Sequence, residues 1–124
     1  MTDFMKALST FMTQFGLPAY VIDCVPDDAA MPYITYTVSR PTAMGVSLLT
    51  INNWHNKKLL GNVERARVSD AIAAAIPEKG TRIPVGKGFV VLRRGSDFHS
   101  LYQDPEDLDA LSVRTSVEVY YYAM

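Results

Sequence analysis

The sequence predicts an α+β two-layer sandwich: a mainly antiparallel sheet with two helices on one face. Three observations predict it. Two stretches repeat their apolar residues at the 3.6-residue period of a helix, and several others alternate at the period of two that marks a strand. The strand-like stretches come in consecutive pairs, which favours antiparallel hairpins over crossovers. A chain of 124 residues, 48% hydrophobic and 20% charged, has the length and balance of one globular domain, residues 1–124. Two helices can cover only one face of such a sheet, so the other face is left open.

The first helix is expected near Asp3–Phe15. Phe4, Leu8, Phe11 and Phe15 fall at i, i+4, i+7 and i+11, with Met5 and Met12 beside them. Thr2 or Asp3 is placed to cap its start, Gly16 to end it in the left-handed conformation, and Pro18 to forbid resumption. A short strand "AYVID" and a turn-rich link "CVPDDAAMP" follow. "YITYTVS" then alternates Ile34, Tyr36 and Val38 against Tyr33, Thr35 and Thr37, and ends at Arg40 and Pro41. In "GVSLLTINNWHN", Val46, Leu48, Thr50, Asn52 and Trp54 share one face; Ser47, Leu49, Ile51 and Asn53 share the other.

The second helix is expected near Val63–Ile76, capped by Asn62, with Glu64 in its first turn. Val68, Ile72, Ala75 and Ile76 form its stripe, and Pro77 and Gly80 stop it. "GKGFVVLRRG" reads as a strand, "FHSLYQ" as another, and "DPEDLDAL" as a polar turn or short helical turn with Asp104 as its cap. The last strand, "SVRTSVEVYYYAM", sets Val113, Thr115, Val117, Val119 and Tyr121 against Arg114, Ser116, Glu118, Tyr120 and Tyr122. Tyr33, Thr35, Thr37, Glu118, Tyr120 and Tyr122 suit the uncovered face, and large aromatics there are typical of a surface buried on assembly.

No run approaches the roughly 18 apolar residues of a membrane span, and the N-terminal stretch lacks the pattern of a signal peptide. Cys24 is the sole cysteine, so no intrachain disulfide forms and a reducing compartment is the simplest reading; its plainest role is a small, half-buried hydrophobe. The net charge of −1 hides three blocks. Up to Tyr36, Asp3, Asp23, Asp27 and Asp28 face Lys6 alone. From Arg40 to Gly95, Arg40, Lys57, Lys58, Arg65, Arg67, Lys79, Arg82, Lys87, Arg93 and Arg94 face only Glu64, Asp70 and Glu78. Beyond, Asp97, Asp104, Glu106, Asp107, Asp109 and Glu118 face Arg114. Folding either mixes these into an ordinary surface or leaves two complementary patches suited to head-to-tail association.

The sequence offers no chemistry of its own. "GKG" at 86–88 lacks the spacing of a phosphate loop and reads as a hairpin turn. "PEDLD" lacks the spacing and glycine of a calcium loop. Ser96, Asp97 and His99 project in different directions from an extended stretch, without a nucleophile elbow. His55 beside Trp54 reads as a strand-end pair packing on a loop. Two histidines and one cysteine make a poor zinc set. "RRG" at Arg93 and Arg94 could touch phosphate but shows no interleaved aromatics. Neither an enzymatic role nor a cofactor is expected.

The order of elements nevertheless resembles a known family. A phenylalanine-rich helix leads into "MPYITYTV"; a second strand, "LLTINNWHN", ends on an aromatic; "VERARVSDAIAAAI" follows; a strand block closes on "VRTSVEVYYYAM". Over nearly its whole length the chain is similar to the tail terminator (tail-completion) proteins of long-tailed bacteriophages and prophages, and to related neck proteins that join head to tail. The resemblance implies a non-enzymatic virion assembly protein. Such a protein caps the head-proximal end of the tail tube as a ring, usually of six copies, stops tube polymerisation and presents a surface to the head–tail connector protein. It is assembled in the bacterial host cytoplasm, it contacts no membrane, and DNA passes through its lumen without specific binding. The partners implied are the chain itself, the tail tube protein and the connector. Lys87, Arg93 and Arg94 would form the basic side of the subunit contact and Asp104, Glu106 and Asp107 the acidic side, with Trp54, Tyr120 and Tyr122 as aromatic anchors. The last strand would find partners for its rings and its backbone inside the ring. Two alternatives stay open: a small DNA-binding module using the central basic block, and a small enzyme or ligand-binding domain.

Overall fold

A computed structural model describes residues 2–39, 46–56, 61–107 and 109–122. Along the chain run α1 (Thr2–Met12), β1 (Ala19–Val21), β2 (Tyr33–Ser39), β3 (Val46–Asn56), α2 (Gly61–Ala75), β4 (Thr81–Val85), β5 (Gly88–Gln103) and β6 (Ala110–Tyr122). One six-stranded sheet has the order β1-β2-β3-β6-β5-β4. Every pairing is antiparallel except β1 with β2, which is parallel, so the sheet is mixed. The fold is α+β, as the sequence predicts.

Both helices contribute to a single core on one side of the sheet. Phe4, Leu8, Met12 and Phe15 meet Val68, Ile72 and Ile76 over Ile34, Tyr36, Leu49, Ile51, Val85, Val90, Leu92, Val117 and Val119. α2 packs over β3 and β6, and α1 against β4. The helix C-termini follow the expected chemistry, but the expected N-caps do not, since Thr2 and Asp3 lie within α1. After α1 a 3-10 turn, Thr13–Phe15, is closed by Gly16 at φ 77°, and Gly80, at φ 85°, donates its N–H to Pro77 O after α2. α2 begins at Gly61, so Asn62 lies inside its first turn rather than at its cap.

Several expectations need correction. Phe11 is only partly buried, whereas Met12 is fully buried: successive helix residues are about 100° apart, and the core lies on the Met12 side. "TRIPV" is an additional strand, β4, whose Pro84 is tolerated because β4 is the sheet edge. "GKGFVVLRRG" and "FHSLYQ" are one strand, β5; the ladder to β6 shifts between Arg94 and His99, where Gly95–Phe98 bulge opposite Ser116. Cys24 is exposed, not half-buried. The backbone of the last strand is not waiting for a neighbouring subunit, because β6 is central and pairs along its length with β3 and β5. The expected strand stop at Arg40–Pro41, together with Lys57 and Lys58 of the basic block, lies outside the described residues.

Candidate functional site

The register of the ladders fixes which side chains share the face that the helices leave uncovered. Opposite one another stand Tyr33 and Trp54, Thr35 and Asn52, and Thr37 and Thr50. On the next ladder Val46 stands opposite Tyr120, Leu48 opposite Glu118, and Asn52 opposite Arg114. Beyond β6 come Phe89 opposite Tyr122, Arg93 opposite Glu118 and Tyr102 opposite Ser112. Tyr33, Thr35, Thr37, Glu118, Tyr120 and Tyr122 therefore share the open face, as alternation predicts.

Rings and guanidinium groups form a nearly continuous ladder across this face. At one end Phe89 stacks on Tyr122 with centroids 5.1 Å apart, and the Arg82 guanidinium lies 4.0 Å from the Phe89 centroid. Next, Arg93 lies 5.4 Å from the Tyr120 centroid, and the Tyr120 hydroxyl donates to Glu118 Oε1 at 2.9 Å. That bond and the nearby carboxylate push the Tyr120 hydroxyl above its ordinary range. Towards the other end Arg114 lies 4.9 Å from the Tyr102 centroid. Tyr102 meets Trp54 edge-on at 5.9 Å, the Trp54 indole N–H donates to Thr35 Oγ1 at 3.0 Å, and Tyr20 meets Tyr33 at 5.9 Å. Held this way, the aromatics lose little further freedom when another surface covers them.

The loops at the two ends of the face differ in charge, although the Asp3 carboxylate lies close to Gly86 at the basic end and Arg114 stands near the acidic one. Lys87 is exposed at the tip of the β4–β5 hairpin, whose two-residue turn uses Gly86 at φ 55°; "GKG" is a hairpin turn, as expected. Arg82 and Arg93 lie just behind it. Asp104, Glu106 and Asp107 lie in the β5–β6 loop, at the far end of the same ladder, and the 13 residues of β6 span about 40 Å at roughly 3.3 Å per residue. In that loop the Glu106 N–H donates to Asp104 Oδ1 at 2.9 Å and the Asp109 N–H to Asp107 Oδ1 at 3.1 Å. The segment is a polar turn, not a helical one. Met31, Tyr33, Trp54, Asp104, Asp107 and Ala110 line a cleft of about 120 Å³ there. A larger cleft, about 290 Å³, opens beside the bulge between Leu48, Gly95, Ser96, Ser116 and Glu118. Glycine lets the backbones approach closely at the bulge: a Cβ on residue 95 would stand 3.2 Å from Ser116 O, tighter than an ordinary contact.

Of the nine residues the sequence nominated, eight lie on the open face or at its ends. Arg94 does not. It projects beneath the helices, donating from Nε to Ile76 O at 2.8 Å and from Nη2 to Ala73 O at 3.0 Å, with its guanidinium 4.5 Å from the Phe98 centroid. It thus caps the C-terminus of α2. Sequence reasoning missed Arg82, Phe89, Tyr102 and Arg114. Alternation along the last strand already set Arg114 beside Tyr120 and Tyr122, whereas Arg82 and Phe89 needed β4, and Tyr102 the bulge, to gain a register.

The remaining reactive side chains are scattered. Ser96 lines the open-face cleft, whereas His99 shares a hydrogen bond with Thr115 Oγ1 at 2.9 Å and lines a groove beside α2. Burial holds the His99 imidazole below its ordinary value. His55 is buried; its Nε2–H donates to Asn53 Oδ1 at 2.9 Å, and desolvation lowers its pKa. It belongs to a buried polar layer beneath α2, where Asn53 Nδ2 also donates to Ser69 Oγ at 3.4 Å, not to a loop packing. The Cys24 thiol donates to Asp23 Oδ1 at 3.5 Å, and that carboxylate raises its pKa, so it is held protonated. Among the described residues no three His, Cys, Asp or Glu side chains stand close enough to hold a metal, and no helix is long and apolar enough to cross a membrane. No protein-family model matches the chain, and a search of curated proteins gives no significant match.

Proposed function

We propose that the chain is a structural subunit that associates head-to-tail into a closed ring, in the manner of a phage tail terminator: it caps the head-proximal end of the tail tube, stops its growth and offers a surface to the head–tail connector. The observation that carries this reading is the uncovered sheet face, with its ladder of aromatic and arginine side chains, basic at one end and acidic at the other. Tyr, Trp and Arg are the side chains that anchor protein interfaces. A face whose two ends are complementary to each other favours heterologous contacts, which generate rings when the rotation closes. The resemblance in element order supplies the ring's identity and its six-fold expectation. The test is sedimentation velocity of the protein alone and with purified tail tubes. Discrete oligomers, or stoichiometric binding to tube ends, are expected; a chain that stays monomeric in both settings defeats the reading.

One observation favours a second reading, the DNA-binding module. The fold lays Arg93 over Tyr120 and Arg82 over Phe89, and an open sheet with rings and arginines also suits stacking on single-stranded nucleic acid. Titration with single-stranded DNA separates the two: micromolar binding that weakens steeply with salt supports the module.

A further inference from the structure

We propose that the tip of the β4–β5 hairpin of one copy, led by Lys87, seats in the cleft between Tyr33, Trp54, Asp104 and Asp107 of the next copy. This rests on the ring reading and names the contact that would build it.

The cleft's chemistry selects a cation. Two aromatic residues, Tyr33 and Trp54, and two carboxylates, Asp104 and Asp107, line it together, a combination that suits a cation. The loop positions both carboxylates through Oδ1, and Oδ2 of each takes no part in those turns. A volume of about 120 Å³ takes an ammonium group and the methylenes behind it, and is well below the several hundred Å³ that small-molecule sites use. An aromatic wall also shields the pair from water, which a simple surface ion pair lacks.

The occupant is a second copy because the chain itself carries the complement. Lys87 protrudes at a tight turn, is exposed, and among the described residues has no ion-pair partner. Arg82 and Arg93 lie behind it on the same face, so a neighbour entering the cleft also brings cations towards the acidic loop that carries Glu106. Tip and cleft sit at opposite ends of one ladder, too far apart to meet within a molecule. The contact is therefore heterologous, and an open assembly keeps one free tip and one free cleft at its two ends until a ring closes.

Complementation in trans tests this. Lys87→Glu spoils the tip and leaves the cleft; Asp104→Lys with Asp107→Lys spoils the cleft and leaves the tip. Each variant alone should lose at least tenfold in association constant by sedimentation. An equimolar mixture should regain wild-type association, since each tip then finds a cleft of opposite sign. Asp104→Asn with Asp107→Asn retains the Oδ1 acceptors of both turns, guarding against a misfolded loop, and should also lose association alone, by less than the charge reversal. If the wild type associates but the variants associate equally well, or mixing restores nothing, the cleft assignment falls while the ring stands. If the wild type remains monomeric alone and on tail tubes, both fall.

Discussion

His55 shows how much a single buried side chain decides. Its imidazole sits in the core with its proton committed to Asn53, and desolvation, more than the opposing carboxylate of Glu64, sets its pKa; Arg65 and Arg67 lower it further. The folded pKa lies below the ordinary value of about 6.5, so between the two the unfolded chain binds more protons. Stability is then fully present above the ordinary value, is lost as pH falls through it, and stops falling below the folded pKa. The urea midpoint should drop between pH 7.5 and pH 5, and His55→Gln, which keeps a donor for Asn53 without a titrating ring, should remove part of that drop and leave the part due to His99, whose pKa burial also lowers. Arg94 offers a second check. Arg94→Ala removes two charged hydrogen bonds to the end of α2 and should cost about 1–3 kcal/mol in denaturant unfolding. Arg94→Lys should recover only part of this, since one ammonium cannot reproduce the fork. Association of the folded fraction should be unchanged, because this side chain lies beneath the helices. Two adjacent arginines in a sequence look alike; the alternation of a strand sends them to opposite faces, and only the register says which.

At the level of elements, α1 is the sharpest contrast between pattern and packing. The phenylalanine spacing defines the stripe, yet Met12 fills the core and Phe11 stands at its margin. Met12→Ala should therefore cost about 2–5 kcal/mol, in the range for buried large-to-small changes, and Phe11→Ala clearly less, as read by chemical denaturation. The reversed order would mean that the helix sits a turn's fraction away from its described orientation. Legibility followed the strength of local signals. α1, α2, β2, β3 and β6 announce themselves through long periodic runs and stop residues such as Gly16, Pro77 and Gly80. β4 did not, because five residues containing Pro84 look like a loop until a neighbour pairs with them. β5 appeared as two strands because Gly95 and Asp97 punctuate it. The parallel pairing of β1 is set by where the long link to β2 delivers the chain, which no local pattern encodes. The same limits governed the candidate site: Tyr33, Arg114, Tyr120 and Tyr122 came from legible strands, while Arg82 and Phe89 needed β4 and Tyr102 needed the bulge.

For the whole molecule, polarity of charge along one face makes a prediction of its own. If the contact joins a basic end to an acidic one, association should weaken as salt rises from about 0.05 to 0.5 M, over which the Debye length shrinks from about 14 to 4 Å, and it should retain a residual affinity from the buried rings. Sedimentation across that range would measure both parts; association that strengthens with salt would assign the contact to apolar surface alone. The position of β6 has a further consequence, for biosynthesis. β6 is the last strand in chain order, but it is the spine joining β1-β2-β3 to β5-β4, with partners such as Asn53 and Val113 that are 60 residues apart. Until residues 110–122 leave the ribosome, the nascent chain holds two half-sheets with unmatched edges and apolar faces, and it cannot close them. The sheet as a whole can therefore close only once residues 110–122 are available, and until then the two halves depend on whatever keeps them apart from other chains.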